Sequence, residues 1–474
     1  MVVMTGLGCG GGSGKPPPSG SSITFTKTYP GAVNRNVDIL FLIDDSSSMK
    51  LAQDNLLRNF PTFMTRLQDP PGLPNLHMAV ISSDMGAGDG SIAGCDTTGG
   101  KQGIFQYTAR GGCTTTTLEP GATYIADIAG VSNYTGNAAD VFKCIAALGE
   151  TGCGFEHQFA SLLRALGADG RAAPAENQGF LRPDAYLAII MLTNEDDCSA
   201  SPGVPLFDTS STSVESALGP PANFRCNEFG HNCDGAHPRR LAPNNDVATM
   251  VTYNSCTSND TEGYLLSAID TASRLKQLKA DPSQIAVVSI QAPASPYTVT
   301  WKNPATADTS CGAASCPWPQ IAHSCVASDG SFGDPGVRTA QLVSEFGVQG
   351  MVLPICTDSF AQSLDRAATM INSLFSPPCI PGKVQLKVGN PDCNVTRHVA
   401  TGTGGVTDNV VPSCADNGDV APCWRLTTLP GGVCSGQVLD VSIDPNVSAT
   451  TAANITVSCA LCDPNVPDLE RGCP

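Results

Sequence analysis

Residues 37–49 have the sequence VDILFLIDDSSSM, an almost continuous apolar run that changes at Asp44 into a turn of acidic and hydroxyl side chains. Apolar, β-prone residues without polar alternation are typical of a strand that is buried on both faces. Leu51–Leu67, which follows, has apolar residues at helical spacing. The stretch therefore predicts a buried strand, a polar turn and a helix, the repeating unit of a parallel α/β sheet.

Four further apolar runs repeat this strand pattern, and segments with helical spacing lie between them. The strand runs are His77–Ser82, Ala185–Thr193, Gln284–Gln291 and Val348–Ile355, and the helical segments are Phe159–Leu166, Leu265–Leu278, Val337–Phe346 and Ser359–Phe375. This alternation predicts an α/β domain with a mostly parallel central sheet and helices on both faces.

The turn after the first strand offers oxygen ligands at alternating positions, namely Asp44, Ser46 and Ser48. Ligands of open α/β sheets bind beyond the carboxyl ends of the strands, where this turn is expected. Carboxylate and hydroxyl oxygens suit Mg²⁺, Mn²⁺ or Ca²⁺ and not Zn²⁺. The sequence thus predicts a divalent-cation site, and the alternative is that these residues only cap the following helix.

The pattern Asp44-x-Ser46-x-Ser48 after an apolar strand resembles the first motif of the metal-ion-dependent adhesion site in von Willebrand factor A and integrin I domains. The strand–helix alternation over roughly residues 37–375 is also similar to that family's layout. The resemblance implies that the two serines bind the cation directly, that Asp44 binds it directly or through water, and that Mg²⁺ is the expected ion, with Ca²⁺ or Mn²⁺ as alternatives. It also implies a threonine from a second loop. Thr151 is the candidate, and the alternative is a threonine at the start of an ordinary helix.

A third loop of the family contributes an aspartate after a buried strand, and the aligned residue here is Asn194, followed by Glu195, Asp196 and Asp197. An asparagine carbonyl can bind a cation or a bridging water but brings no charge. Glu195 and Asp196 are therefore further candidate ligands, for the same ion or for a second one. The alternative is a solvated acidic turn held by Cys198.

Twenty-one cysteines indicate an exported protein, because thiols at this density are typical of an oxidising compartment. Nine of them lie in the predicted insertions of the α/β domain, near residues 86–139, 198–260 and 293–336, where disulfides are expected to hold long loops. Cys226, His231, Cys233 and His237 form an alternative zinc set, but their spacing fits no common zinc finger.

The N-terminus carries an isolated cysteine, Cys9, followed by a Gly/Ser/Pro-rich stretch to residue 22. This arrangement resembles the processing site of a bacterial lipoprotein, which implies a signal peptide and a lipid anchor on Cys9. The alternative is a disordered N-terminus with a free thiol. The predicted domains are the tether at 1–22, a von Willebrand A-type domain at 23–378 and a small Cys-rich β domain at 379–474.

The net charge of −17 argues against nucleic acid or an anionic membrane surface as partner, so membrane attachment is expected only through the lipid anchor. No nucleophile-elbow, metalloprotease or phosphate-loop motif is present, and binding rather than catalysis is predicted. The expected function is metal-dependent adhesion of an outer-membrane or cell-surface lipoprotein, otherwise periplasmic or secreted, to an acidic group of a protein or surface polymer. The alternative is a structural envelope protein whose cation only stabilises the fold.

Overall fold

The computed structural model describes residues 23–30, 35–68, 72–88, 90–92, 94–113, 117–312, 315–375, 379–380, 382–400, 406–418, 420, 422–427, 437–442, 453–463 and 468–473. Within these ranges the α-helices are α1 (Lys50–Leu67), α2 (Ala138–Ala146), α3 (Gln158–Ala165), α4 (Phe224–Gly230), α5 (Ala268–Lys276), α6 (Val337–Ser344) and α7 (Ala361–Phe375). The strands are β1 (Ile23–Pro30), β2 (Asn36–Ile43), β3 (Asn75–Ser82), β4 (Ile125–Ile128), β5 (Val131–Ser132), β6 (Tyr186–Leu192), β7 (His231–Cys233), β8 (Met250–Tyr253), β9 (Cys256–Ser258), β10 (Ile285–Gln291), β11 (Tyr297–Lys302), β12 (Trp318–Ile321), β13 (Cys325–Val326), β14 (Phe332–Gly333), β15 (Gly350–Pro354), β16 (Cys379–Ile380), β17 (Leu386–Lys387), β18 (Asn390–Pro391), β19 (Cys393–Ala400), β20 (Val406–Val411), β21 (Cys423–Thr427), β22 (Gln437–Ser442) and β23 (Ala453–Leu461).

The central sheet has the order β15-β10-β6-β2-β3-β4-β5. Its first five strands are parallel, and β4 and β5 extend it as an antiparallel edge. The five predicted strands form the parallel part, so the prediction of a mostly parallel α/β sheet is confirmed. The antiparallel pair comes from the first insertion, whose sequence shows no clear strand pattern.

Alternate residues of β2 enter two separate cores, which explains why the strand is apolar throughout. Ile39 and Phe41 pack with α1, α2 and α7 on one face of the sheet, and Leu40 and Leu42 pack with α3, α5 and α6 on the other. The ring of Phe41 lies with its centroid 4.6 Å from that of Phe142 in α2. Helices therefore cover both faces, as predicted, and they fix the position of the turn that leaves β2.

The insertions are folded segments held by disulfides. Six of the nine disulfides among the described residues lie in or beside them: Cys95–Cys153, Cys113–Cys144, Cys198–Cys226, Cys233–Cys256, Cys311–Cys316 and Cys325–Cys356. The second and third insertions also pair with each other in a small antiparallel sheet of order β12-β11-β8. The predicted disulfide-held insertions are confirmed.

A second compact unit contains the C-terminal β strands, and its composition corrects one predicted boundary. The sequence assigns residues 23–30 to the von Willebrand A-type domain, but β1 pairs antiparallel with β23 along its whole length, from Ile23 opposite Leu461 to Pro30 opposite Asn454. The α/β unit accordingly spans Arg35–Phe375. A short alternating strand beside a tether contains no signal for its partner, which is more than 400 residues away in sequence.

The C-terminal unit is all β in the part of it that the structure describes. Its sheets have the orders β1-β23-β19-β20 and β16-β22-β21. Val395, Trp424 and Val457 belong to its core, and the disulfides Cys393–Cys459, Cys414–Cys423 and Cys462–Cys473 cross-link it. The predicted small Cys-rich β domain is therefore present, with β1 added to it.

Candidate metal centre

The turn after β2 holds Asp44 at the carboxyl end of the parallel sheet. The Asp44 main-chain N–H donates to the Leu192 carbonyl oxygen of β6 at 2.9 Å, which fixes the turn against the neighbouring strand. The Asp44 carboxylate accepts one hydrogen bond from the Ser46 main-chain N–H and another from Thr193 Oγ1, each at 2.9 Å. The carboxylate is fully buried, and burial raises its pKa above the usual range. A buried carboxylate of this kind is costly unless a positive charge compensates it.

Three more of the predicted ligands gather at this carboxylate. Ser46 Oγ lies 3.3 Å from Ser48 Oγ, and the Asn194 amide nitrogen donates to Ser48 Oγ at 3.0 Å. The side chains come from two loops that follow adjacent parallel strands, β2 and β6. The structure therefore brings Asp44, Ser46, Ser48 and Asn194 into one cluster of oxygen-bearing side chains.

Helix capping does not account for the turn. Helix α1 begins at Lys50, its N-cap residue is Met49, and no side chain caps it. The hydroxyl groups of Ser46 and Ser48 therefore do not cap the helix N-terminus, which is the role that serine commonly has there. The sequence-based alternative, that the turn serves only to cap α1, is wrong.

The donor set fits a hard divalent cation. It contains one carboxylate, two hydroxyl groups and one amide, all oxygen donors of the kind that Mg²⁺ and Ca²⁺ prefer. Among the described residues no three His, Cys, Asp or Glu side chains are grouped in a way that could hold a metal ion. The candidate site has one acidic and three neutral side chains, so it does not depend on three His, Cys, Asp or Glu side chains lying together.

Thr151 lies on the predicted loop but is not joined to the cluster. Its side chain is exposed, and the hydrogen bonds of the described chain include none from Thr151 to Asp44 or the serines. Its neighbour Gly152 instead contacts the turn of residues 44–48, the candidate metal turn, because its main-chain N–H donates to the Asp45 carbonyl oxygen at 2.8 Å. Thr193 is a further residue of the site that the sequence-based prediction lacks. Its hydroxyl group donates a hydrogen bond to the Asp44 carboxylate. Its position at the end of a buried strand is the sequence feature that could have indicated it.

Glu156, also missed by the sequence analysis, lies beside the cluster together with the predicted Glu195. The two carboxyl groups are hydrogen-bonded to each other. Glu156 is only 2% exposed, and within the part of the chain that the structure describes its Oε1 has no hydrogen-bond partner. Burial, followed by the nearby Glu195 and Asp44 charges, raises the pKa of Glu156 well above its usual range. Burial and the charges of Asp334 and Asp44 raise the pKa of Glu195 to about 8.

Asp196, a predicted ligand, has a structural role instead. Its Oδ2 accepts hydrogen bonds from His231 Nε2 at 2.9 Å and from the main-chain N–H groups of Val337 and Arg338, and its Oδ1 accepts from Thr339. Burial tends to raise the pKa of Asp196, but the hydrogen bonds, led by that from His231, hold it below the usual value. The carboxylate binds the N-terminus of α6, so the prediction of Asp196 as a metal ligand is corrected.

The neighbouring Asp197 is buried too, so the alternative of a solvated acidic turn is also wrong. Asp197 pairs with the equally buried Arg338, whose Nη2 donates to its carboxylate at 3.0 Å. It also accepts a hydrogen bond from the Phe159 main-chain N–H in the first turn of α3. The two aspartates thus fix the starts of α6 and α3 around the loop that carries Asn194.

The alternative zinc set is dispersed among other partners. Cys226 and Cys233 form disulfides with Cys198 and Cys256. His231 binds Asp196 and Tyr297, and His237 binds Glu262. These four residues do not form a zinc site.

The lipid-attachment candidate Cys9 lies outside the described residues. None of the helices that the structure describes combines the length and the apolar character needed to cross a bilayer.

Comparison with known proteins gives structural matches only. No family model and no curated relative matches the chain. The chain is similar to the adhesive tip pilin of Group B Streptococcus agalactiae at 10% identity and a TM-score of 0.28, covering 94% of this chain and 83% of that one. It is similar to a von Willebrand factor type A protein of Catenulispora acidiphila at 8% identity and a TM-score of 0.27, covering 95% and 63%. It is also similar to the human COPII-coat protein Sec24c at 7% identity and a TM-score of 0.28, covering 92% and 42%.

This chain spans less than two thirds of the second and third of these proteins. Likeness at such low identity and TM-score says nothing about a shared function. Strand order, side-chain contacts and burial remain the basis for the function of the site.

Proposed function

We propose that residues 35–375 form a binding domain that depends on a divalent cation, held by Asp44, Ser46, Ser48 and Asn194. When bound, the cation supplies an electropositive coordination position that an acidic group of a partner protein or surface polymer can fill. Mg²⁺ is the proposed ion, and Ca²⁺ and Mn²⁺ are the alternatives. The proposed activity is adhesion and not catalysis.

One observation carries this proposal: two serine hydroxyls, an asparagine amide and a buried carboxylate meet at the carboxyl end of the sheet, and no helix uses them as a cap. Asp44 supplies the only carboxylate of the set. A cation held mainly by neutral oxygens keeps a net positive charge, and this favours an acidic partner.

The test compares two serines of the same turn. Ser47→Ala is the matched control, because Ser47 is exposed while Ser46 and Ser48 contact each other. Mn²⁺ titration calorimetry on the full chain should give one saturable site that Ser48→Ala weakens about tenfold to 100-fold, the range typical of altered metal sites. Ser47→Ala should leave the affinity unchanged, and equal affinities for the two variants would contradict the proposal.

A second measurement separates metal binding from adhesion. Beads coated with polyglutamate should retain the wild-type chain in Mg²⁺ and release it on addition of chelator, while Asp44→Ala should not be retained although its circular dichroism is unchanged. Retention that persists in chelator would overturn the adhesive role.

The alternative function is a structural envelope protein whose cation only stabilises the fold. The Glu156–Glu195 pair favours it, because several carboxylates around one ion are typical of a closed Ca²⁺ site. This alternative predicts a lower melting temperature in chelator together with no metal-dependent retention on polyglutamate.

The nine disulfides of the described residues indicate an exported protein. We further propose a lipid anchor on Cys9, which would present the domain at the outer membrane or the cell surface. Metabolic labelling with an alkyne fatty acid in the native host should label the wild-type chain and not Cys9→Ser, and equal labelling of both would contradict the anchor.

A further inference from the structure

A cavity of about 390 Å³ lies beside the metal turn, within the α/β unit. Its acidic wall contains Glu156, Glu195 and Asp334, and its lining also includes the aromatic residues Trp318 and Phe332. The first two come from the loops before α3 and after β6, and the others come from the third insertion. The cavity is therefore closed by an insertion that the plain strand–helix alternation does not require.

The acidic wall has an unsatisfied group. Glu156 is 98% buried, yet its Oε1 has no hydrogen-bond partner among the described residues. Its other contact is with Glu195, which is also an acid and has one further partner, the Asn223 side-chain amide at 3.0 Å. Two neighbouring carboxyl groups without a basic partner call for a ligand that donates hydrogen bonds and carries positive charge.

Nearby basic groups offset only part of the acidic wall. His231 is bound by Asp196, and His323 Nδ1 lies 2.6 Å from Asp334 Oδ1 and stacks on Phe332 with ring centroids 3.8 Å apart. Lys302 also lines the cavity, but its side chain is exposed and no ion pair in the described chain joins it to the acidic wall. The wall thus keeps an excess of acidic groups.

The size and lining of the cavity favour an organic cation over a metal ion. A volume of about 390 Å³ is many times the space that a single water or ion occupies. Among the described residues no three acidic or histidine side chains are arranged to hold a metal. Trp318 is held by a hydrogen bond from its Nε1 to Asp308 Oδ2 at 3.0 Å, and an aromatic wall next to carboxylates is suited to ammonium and guanidinium groups.

We propose that this cavity binds a basic side chain, a lysine ammonium or an arginine guanidinium, of the same partner whose acidic group reaches the metal turn. This inference rests on the proposed function, and it specifies the partner further. A purely acidic partner would be repelled by Glu156, Glu195 and Asp334, whereas a partner with a basic group beside its acidic group matches both sites.

The first experiment tests the cavity by itself. Butylguanidinium is titrated into the full chain in the presence of chelator, and butylurea, which has a similar shape and no charge, is the control ligand. We expect one saturable site for butylguanidinium, at least tenfold weaker binding to Glu156→Gln and to Asp334→Asn, and no saturable binding of butylurea. The second variant changes an acidic residue of a different segment, the third insertion, so that a folding defect in one variant does not decide the result. Absence of saturable binding to the wild type, or undiminished binding to both variants, overturns the inference.

The second experiment tests the coupling to the metal turn. A flexible peptide that carries one Arg and one Asp should bind in Mg²⁺ at least tenfold more tightly than the matched peptides with Arg→Gln or Asp→Asn. Loss of the Arg effect alone, with Mg²⁺-dependent binding of the Asp retained, overturns the inference and leaves the proposed function standing. Loss of the Mg²⁺ effect alone, with butylguanidinium still bound, overturns the proposed function and leaves the cavity as a site for basic groups.

Discussion

Three acidic residues follow one another after β6, and each has a different environment. Glu195 faces the cavity, Asp196 binds the start of α6, and Asp197 pairs with Arg338. Asp196 and Asp197 are buried and Glu195 is half-buried, and the chain brings different neighbours to each side chain. The Glu195 carboxyl group is therefore available to a ligand, while the charges of Asp196 and Asp197 are used by the fold.

Asp196→Asn should lower the free energy of unfolding by roughly 3–5 kcal/mol, the cost typical of breaking a buried charged pair. An amide has only one acceptor oxygen, so its nitrogen would face donors on one side, either those of His231 and the α6 N–H groups at Oδ2 or those of Thr339 at Oδ1. Glu195→Gln is the matched control and should change stability little, since its amide can still hydrogen-bond to Glu156 and to Asn223. Urea unfolding with the disulfides intact measures both, and equal losses would contradict the assigned roles.

Buried histidines should make the fold acid-sensitive. Burial lowers the pKa of both His77 and His157 to about 4, from 6.5 in the unfolded chain. Between these values the unfolded state binds more protons, so the stability that these groups contribute is complete above pH 6.5 and is lost as the pH falls towards 4. The loss is up to about 3 kcal/mol for each histidine.

The pH dependence is tested by the slope of stability between pH 4.5 and 6.5 in His77→Gln. The variant is expected to be less stable at neutral pH, because the Phe180 carbonyl oxygen, which lies 2.8 Å from His77 Nδ1, loses its hydrogen-bond partner. The slope of its unfolding free energy against pH should nevertheless be smaller than that of the wild type, by the amount that corresponds to about one proton taken up on unfolding. A slope equal to that of the wild type would show that His77 does not titrate in this range.

The sequence predicts correctly that four of the candidate ligands lie together, because they follow neighbouring strands of the sheet. Asp44, Ser46 and Ser48 lie on one turn, and Asn194 follows the adjacent strand, so strand order alone brings them together. The partner of Asp196 is the start of α6, about 140 residues later, and no pattern around Asp196 encodes it. Glu156 was missed for the same reason, since its position depends on the path of the first insertion.

At the scale of elements, the loop between α2 and α3 makes close main-chain contact with the turn of residues 44–48. Gly152 donates its N–H to the Asp45 carbonyl oxygen, and Cys153 in the same loop is cross-linked to Cys95. A β-carbon on Gly152 would meet the Asp45 carboxylate and lie 2.8 Å from its main-chain oxygen. Real β-carbons do not approach backbone atoms so closely, so either the loop or the turn would have to move.

Gly152→Ala should therefore weaken Mn²⁺ binding although the substituted residue is not a ligand. A displaced Asp45 backbone would move its neighbours Asp44 and Ser46 away from Asn194. We therefore expect the affinity for Mn²⁺ to fall at least tenfold, as it does when other residues that orient metal ligands are changed. Gly154→Ala is the matched control in the same loop, since its added β-carbon meets nothing within 4 Å. Calorimetry on both variants checks the prediction, and equal affinities would show that the loop does not position the turn.

For the whole molecule, the pairing of β1 with β23 makes the C-terminal unit depend on residues that precede the α/β unit in sequence. The α/β unit is thus an insertion between two parts of a β unit. The sequence predicted both folds because each has its own periodicity, but it placed the boundary at residue 23. The reason is that strand pairing across such a distance leaves no local pattern.

Deletion of residues 23–30 should destabilise the C-terminal unit selectively. Without β1, β23 becomes the edge strand of its sheet, and main-chain groups along one side of Ala453–Leu461 lose their partners to water. Hydrogen exchange on the full chain should show at least tenfold faster exchange in β23, while the amides of β2 and β6 in the central sheet serve as the internal control and should keep their protection. Mn²⁺ affinity should also be unchanged, because all four proposed ligands lie in Arg35–Phe375. Unchanged protection of β23 would contradict the pairing, and lost protection of β2 would contradict the independence of the α/β unit.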